Sequence, residues 1–145
     1  MLGIYSVGGA GPRRRVHRNY ARKAMTTTVF ERSGGFANVR KVISAFYDKL
    51  LDSEMLSGYF ANVDVRRLID HQTKFISSIM GGPTSFSDDV LRRAHAKLGL
   101  SHEDLLEMVA LLRETLEDFD FEPADLEHVC NEVMKRESLV VTRHA

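Results

Sequence analysis

The chain has 145 residues, 43% of them hydrophobic and 28% charged, with 20 basic and 20 acidic side chains. This is the length of one domain, able to bury roughly 70% of its unfolded surface, and ten glycines and three prolines exclude collagen-like and wholly disordered classes. A lone cysteine, Cys130, excludes a disulfide framework and a cysteine-built zinc site and fits a reducing, cytoplasmic setting, and no apolar run approaches the roughly 18 residues of a membrane span.

Residues 1–25 hold six basic side chains (Arg13, Arg14, Arg15, Arg18, Arg22, Lys23) and no acid. The other 120 therefore carry 14 basic and 20 acidic groups, a net of −6. Gly3, Gly8, Gly9, Gly11 and Pro12 break any helix, so 1–25 is expected to be a disordered basic extension ahead of a domain spanning 26–145. Its arginines follow its short apolar stretch, the reverse of a secretory signal. The composition leaves a transit peptide open, and Met25 as the working start. The extension lacks aromatic interleaving and helical periodicity, and the body is acidic, so neither nucleic acid nor membrane is expected as a partner.

Thr28-Val29-Phe30-Glu31 has the spacing of a capping box, and Gly34-Gly35 ends that short helix. A second helix places Val39, Val42, Ile43, Phe46, Tyr47 and Leu50 on one face at spacings of three and four. A turn with Leu56, Tyr59 and Phe60 follows. Asp64 caps a helix whose stripe is Val65, Leu68, Gln72, Phe75, Ile76 and Ile79, and Gly81-Gly82-Pro83 stops it. Asp88 opens a helix with Leu91, Ala94, His95 and Leu98 on one side, closed by Gly99. Ser101 and Asp104 form a capping pair for a helix carrying Leu105, Met108, Val109, Leu112, Leu116 and Phe119. Pro123 suits a first helical position, and Leu126, Val129, Cys130, Val133 and Met134 line the last helix. Nothing alternates with period two. The class is all-α.

The informative residues are polar ones where a stripe asks for an apolar side chain: Tyr47, Gln72 with its neighbour His71, and His95. Singly, each has an ordinary explanation. His95 reads as a core histidine bonded to a carbonyl, Tyr47 as an aromatic with a wet hydroxyl, Gln72 as a boundary residue and His71 as a solvent-facing one. An unpaired buried polar group costs about 1–3 kcal/mol, so several in one small core point to a shared polar site. There is no HExxH, CxxC, nucleophile elbow or phosphate loop. One histidine in an apolar slot is what haem asks for, because the porphyrin supplies the other four ligands.

The motifs Phe30-Glu31-Arg32-Ser33-Gly34-Gly35, Ala45-Phe46-Tyr47-Asp48-Lys49-Leu50-Leu51, Tyr59-Phe60, His71-Gln72, Phe75, Met80-Gly81-Gly82-Pro83 and Arg93-Ala94-His95-Ala96-Lys97-Leu98-Gly99-Leu100 occur in one order and spacing. With them the chain resembles the first group of the truncated haemoglobins over nearly all of 28–140. The resemblance implies a two-over-two helical sandwich around one haem b, the iron held by His95. It makes Tyr47 and Gln72 the ligand-binding pair and lines the haem with Phe46, Phe60, Leu68, Phe75 and Leu91. It also makes His71 a candidate distal ligand, as in cyanobacterial members. Ile76 stands where some members have a tunnel-gating phenylalanine. Met134 lies near where some carry a histidine bonded to a haem vinyl, so the haem is expected to be non-covalent. The implied function is reversible binding of dioxygen, nitric oxide and carbon monoxide, with oxidation of nitric oxide to nitrate when an external reductase serves it. The alternatives are a haem-based gas sensor or electron-transfer module, and a haem-free helical interaction module.

Overall fold

The computed structural model describes residues 27–144, so the basic segment 1–25 and the proposed boundary at residue 26 lie outside the described residues. Seven α-helices follow in order: α1 (Val29–Arg32), α2 (Gly35–Asp52), α3 (Val65–Ile79), α4 (Asp88–His95), α5 (His102–Asp118), α6 (Pro123–Met134) and α7 (Glu137–Val140). A 3-10 turn, Ser57–Phe60, joins α2 to α3. Among the described residues there is no strand, only an isolated parallel bridge between Ser101 and Arg143. No helix among them is long and apolar enough to cross a membrane.

Side-chain caps start most of the helices. Thr28 accepts from the Glu31 amide, Asp64 from that of Arg67 and Ser101 from that of Asp104. Each satisfies an amide that the first helical turn leaves without a partner. The helix α4 opens at Asp88, as the sequence suggests; its cap is Ser87, which accepts from the Val90 amide, and Asp88 places its charge in the positive first turn.

The buried face of α2 consists of Val39, Val42, Ile43, Phe46, Tyr47 and Leu50, the six residues of its apolar stripe. It packs on α3 and α5, and α5 packs on α6. These packings form the body of the fold. By contrast, α4 is short, buries only Leu91, and rests on α7.

Two glycine pairs make the tight corners. Gly34 and Gly35 have φ of 99° and 76°, a left-handed backbone that costs a side-chain-bearing residue roughly 1–2 kcal/mol. At Gly82 the constraint is space instead: a methyl group there would lie 2.9 Å from Cγ and Cδ1 of Phe30 and 2.9 Å from the Ser77 carbonyl oxygen. Gly82→Ala is therefore expected to lower stability by about 1–3 kcal/mol, the usual cost of overpacking. Gly58→Ala, with nothing within 4 Å, should stay within about 0.5 kcal/mol of the parent. Urea unfolding of the two variants checks this, and equal midpoints would refute it.

Candidate haem pocket

A cavity of about 280 Å³ opens where the α2–α3 pair meets α4 and α5, with Val133 of α6 and Val140 of α7 completing its lining. It is walled by Phe46, Tyr47, Phe60, Leu68, Gln72, Phe75, Leu91 and His95, together with further apolar residues. Eight of the nine expected site residues thus meet in one place. The ninth, His71, is exposed and lies outside the lining, even though Gln72 beside it lines the cavity. One helical residue is a turn of about 100°, enough to carry His71 off the cavity face.

The geometry of His95 fixes its tautomer. Nδ1 lies 2.8 Å from the carbonyl oxygen of Leu91, one turn earlier on α4. A carbonyl only accepts, so Nδ1 carries a proton, and in the neutral imidazole the lone pair lies on Nε2. A metal ligand needs that arrangement, with the second nitrogen anchored to a backbone acceptor. Among the described residues no other histidine lines the cavity, and no cluster of three or more His, Cys, Asp or Glu is able to hold a metal by itself.

Tyr47 is 4% exposed, and burial pushes its hydroxyl above the usual phenol range. It therefore stays a neutral donor at any physiological pH. Its ring is clamped edge-on between Phe46 and Phe60, with centroids 5.6 Å and 5.7 Å away. Among the described residues nothing hydrogen-bonds that hydroxyl, nor the Gln72 amide. An apolar slot with one oriented imidazole, and with a phenol and an amide from the α2–α3 pair, fits a haem. The porphyrin would sit among aromatic and aliphatic walls with His95 on its iron.

The bacterial-like globin family model matches residues 28–141. The chain belongs to the bacterial-like globin family. Within it the likeness is to group 1 truncated haemoglobins. That of Mycolicibacterium paratuberculosis is 30% identical over 80 residues, which covers 55% of this globin and 59% of the relative. That of Tetrahymena pyriformis is 27% identical over 108 residues, covering 74% and 86%. Two solved structures share the fold. The Synechococcus 2/2 haemoglobin, whose haem is covalently attached, superposes with a TM-score of 0.74 at 25% identity over 81% of this chain and all of its own. The Fe(III) form of the T. pyriformis protein gives 0.70 at 22% identity over 80% of this chain and all of its own.

Several lining residues of this globin escaped the sequence reading: Ile43, Val109, Leu112, Val133 and Val140. Apolar residues at helical spacing read alike whether they face a core or a cavity, so nothing in the pattern could have set them apart. Ile76 also lines the cavity, whereas Met134 does not.

Proposed function

We propose that this globin binds haem b non-covalently through His95 and reversibly takes up dioxygen, nitric oxide and carbon monoxide. What carries the reading is one observation: the only cavity-lining histidine among the described residues has Nδ1 tied to Leu91, in a cavity shared with Tyr47 and Gln72. The haem supplies an iron that takes a diatomic gas and shifts electron density onto it. Everything else is done by the chain. The walls exclude water, the Leu91 carbonyl holds the imidazole, and the neutral Tyr47 hydroxyl and the Gln72 amide offer donors to a gas that has gained negative charge. Met134 stands near where some relatives carry a vinyl-bonding histidine, and that substitution is the ground for proposing non-covalent retention. The lone buried thiol, Cys130, suits a cytoplasmic setting.

The finer activity we infer is oxidation of nitric oxide to nitrate. One nitric oxide, one dioxygen and one electron give one nitrate, so an external one-electron reductase completes the balance. The test begins with haemin added to purified apoprotein, which should give a saturable one-to-one Soret band. After reduction, the spectrum should change reversibly with dioxygen and with carbon monoxide. A folded apoprotein that takes up no haemin would end the proposal.

His71 serves as a separate marker. Its exposed position favours an open sixth site, so the gas-free protein is expected to be high-spin in both oxidation states, with His71→Leu leaving the spectrum unchanged. A low-spin wild-type spectrum that turns high-spin in His71→Leu would instead put His71 on the iron. Dioxygen affinity would then fall by the fraction of molecules left closed.

A further inference from the structure

The structure ties three cavity-lining segments to one carboxylate. Asp104, on the first turn of α5, is 3% exposed. Its Oδ2 accepts from the Tyr59 hydroxyl at 2.5 Å, the Ser101 amide at 3.0 Å and Arg143 Nη2 at 3.1 Å. A capping carboxylate needs only the Ser101 contact. The other two partners lie 45 and 39 residues away, and they have no part in starting a helix.

Each partner belongs to a different wall. Tyr59 lines the cavity and precedes Phe60 in the 3-10 turn. Ser101 follows Leu100, a lining residue just past His95. Arg143 lies at the end of a strap, residues 137–143, whose Val140 lines the cavity. The strap is also fastened by main-chain bonds: the Thr142 and Arg143 amides both donate to the Leu100 carbonyl, at 2.9 and 3.0 Å. At its start Glu137 meets Nδ1 of His102. The helix that carries His95 has one buried residue of its own and leans on α7, which is part of this strap. Its supports are therefore the strap beside it and the Leu100–Ser101 segment that follows it, and both are tied to Asp104.

We propose that Asp104, by holding Tyr59, Ser101 and Arg143 at once, is a positioning residue for His95 that fixes the proximal helix against the C-terminal strap. The proposal rests on the reading of His95 as the haem ligand. Because the carboxylate is buried and satisfied by several donors, removing one of them loosens this junction without emptying the core.

The test compares Tyr59→Phe and Arg143→Leu with Lys49→Gln. The last breaks an ion pair to Glu114 and Asp118 at 2.6 and 2.9 Å, between α2 and α5 and away from the strap. Two readouts are taken. One is hydrogen exchange of the haem-free protein, where residues 88–100 should exchange about tenfold faster in the two clamp variants while α2 is unchanged. The other is the iron–imidazole stretching band of the gas-free ferrous protein together with the rate of haem loss. The band should shift and the loss should rise about tenfold, the lower end of the effect of removing a group that orients a ligand. Arg143→Lys should restore both readouts, and Lys49→Gln should change neither. Clamp variants that match Lys49→Gln, less stable but with unmoved exchange at 88–100 and an unmoved band, would overturn the proposal. Should the wild type show no iron–imidazole band, the haem assignment fails, while the exchange arm still decides whether Asp104 holds α4.

Discussion

His95→Ala is expected to leave a folded protein that no longer holds haem through a protein ligand. Among the described residues no other imidazole lines the cavity, and the nearest alternative, His71, is exposed and outside it. The apolar walls remain, so haemin should still enter, but without a bond from the protein to its iron. Removing a group that merely orients a metal ligand typically costs roughly 10–100-fold in affinity; deleting the ligand itself should exceed about 100-fold. Stopped-flow transfer of haem to an acceptor protein measures the loss rate. Free imidazole, small enough for the space left at residue 95, should bring back the wild-type ferrous spectrum. An unchanged spectrum and loss rate in His95→Ala would overturn the assignment.

Tyr47→Phe should separate stability from gas retention. The hydroxyl faces the cavity and makes no hydrogen bond to the described residues, so deleting it breaks no bond within the fold and should leave the melting temperature about the same. Once dioxygen has drawn electron density, the same hydroxyl becomes a donor to a charged acceptor, a bond of about 1.5–3 kcal/mol. Its loss converts to dissociation roughly ten- to a hundredfold faster. Carbon monoxide gains little negative charge, and its dissociation should change far less. Gln72→Leu tests the second donor, and the double variant shows whether the two act on one charge or independently. Unchanged dioxygen dissociation in both single variants would mean that neither donor retains the gas.

Much of this was legible in the sequence because helix periodicity and capping are local. The buried set of α2 and the caps at Thr28, Asp64 and Ser101 need only neighbours within a turn. That His95, Tyr47 and Gln72 line one cavity was legible for a related reason: they are polar residues in apolar registers. The contrast that reveals them also has a blind side. Thr73 and Ser77 are buried in α3 with no hydrogen-bond partner for their hydroxyls among the described residues, yet neither falls in the apolar stripe that marks the buried face in the sequence. The helix α7 is four residues long, too short to show a period. The Asp104 clamp joins residues dozens of positions apart, and the sequence alone discloses only its capping half.

The cavity shared by His95 and Tyr47 also bears on how long each copy of the protein lasts. A molecule that binds the folded form and not the unfolded one adds free energy as RT ln(1 + [L]/Kd), about 2.7 kcal/mol at a hundredfold excess over Kd. The fraction of chains open to a protease at any instant then falls by about the same hundredfold. With the haem binding proposed above, copies supplied with cofactor are expected to resist proteolysis longer than copies starved of it, because filling the cavity stabilises only the folded form.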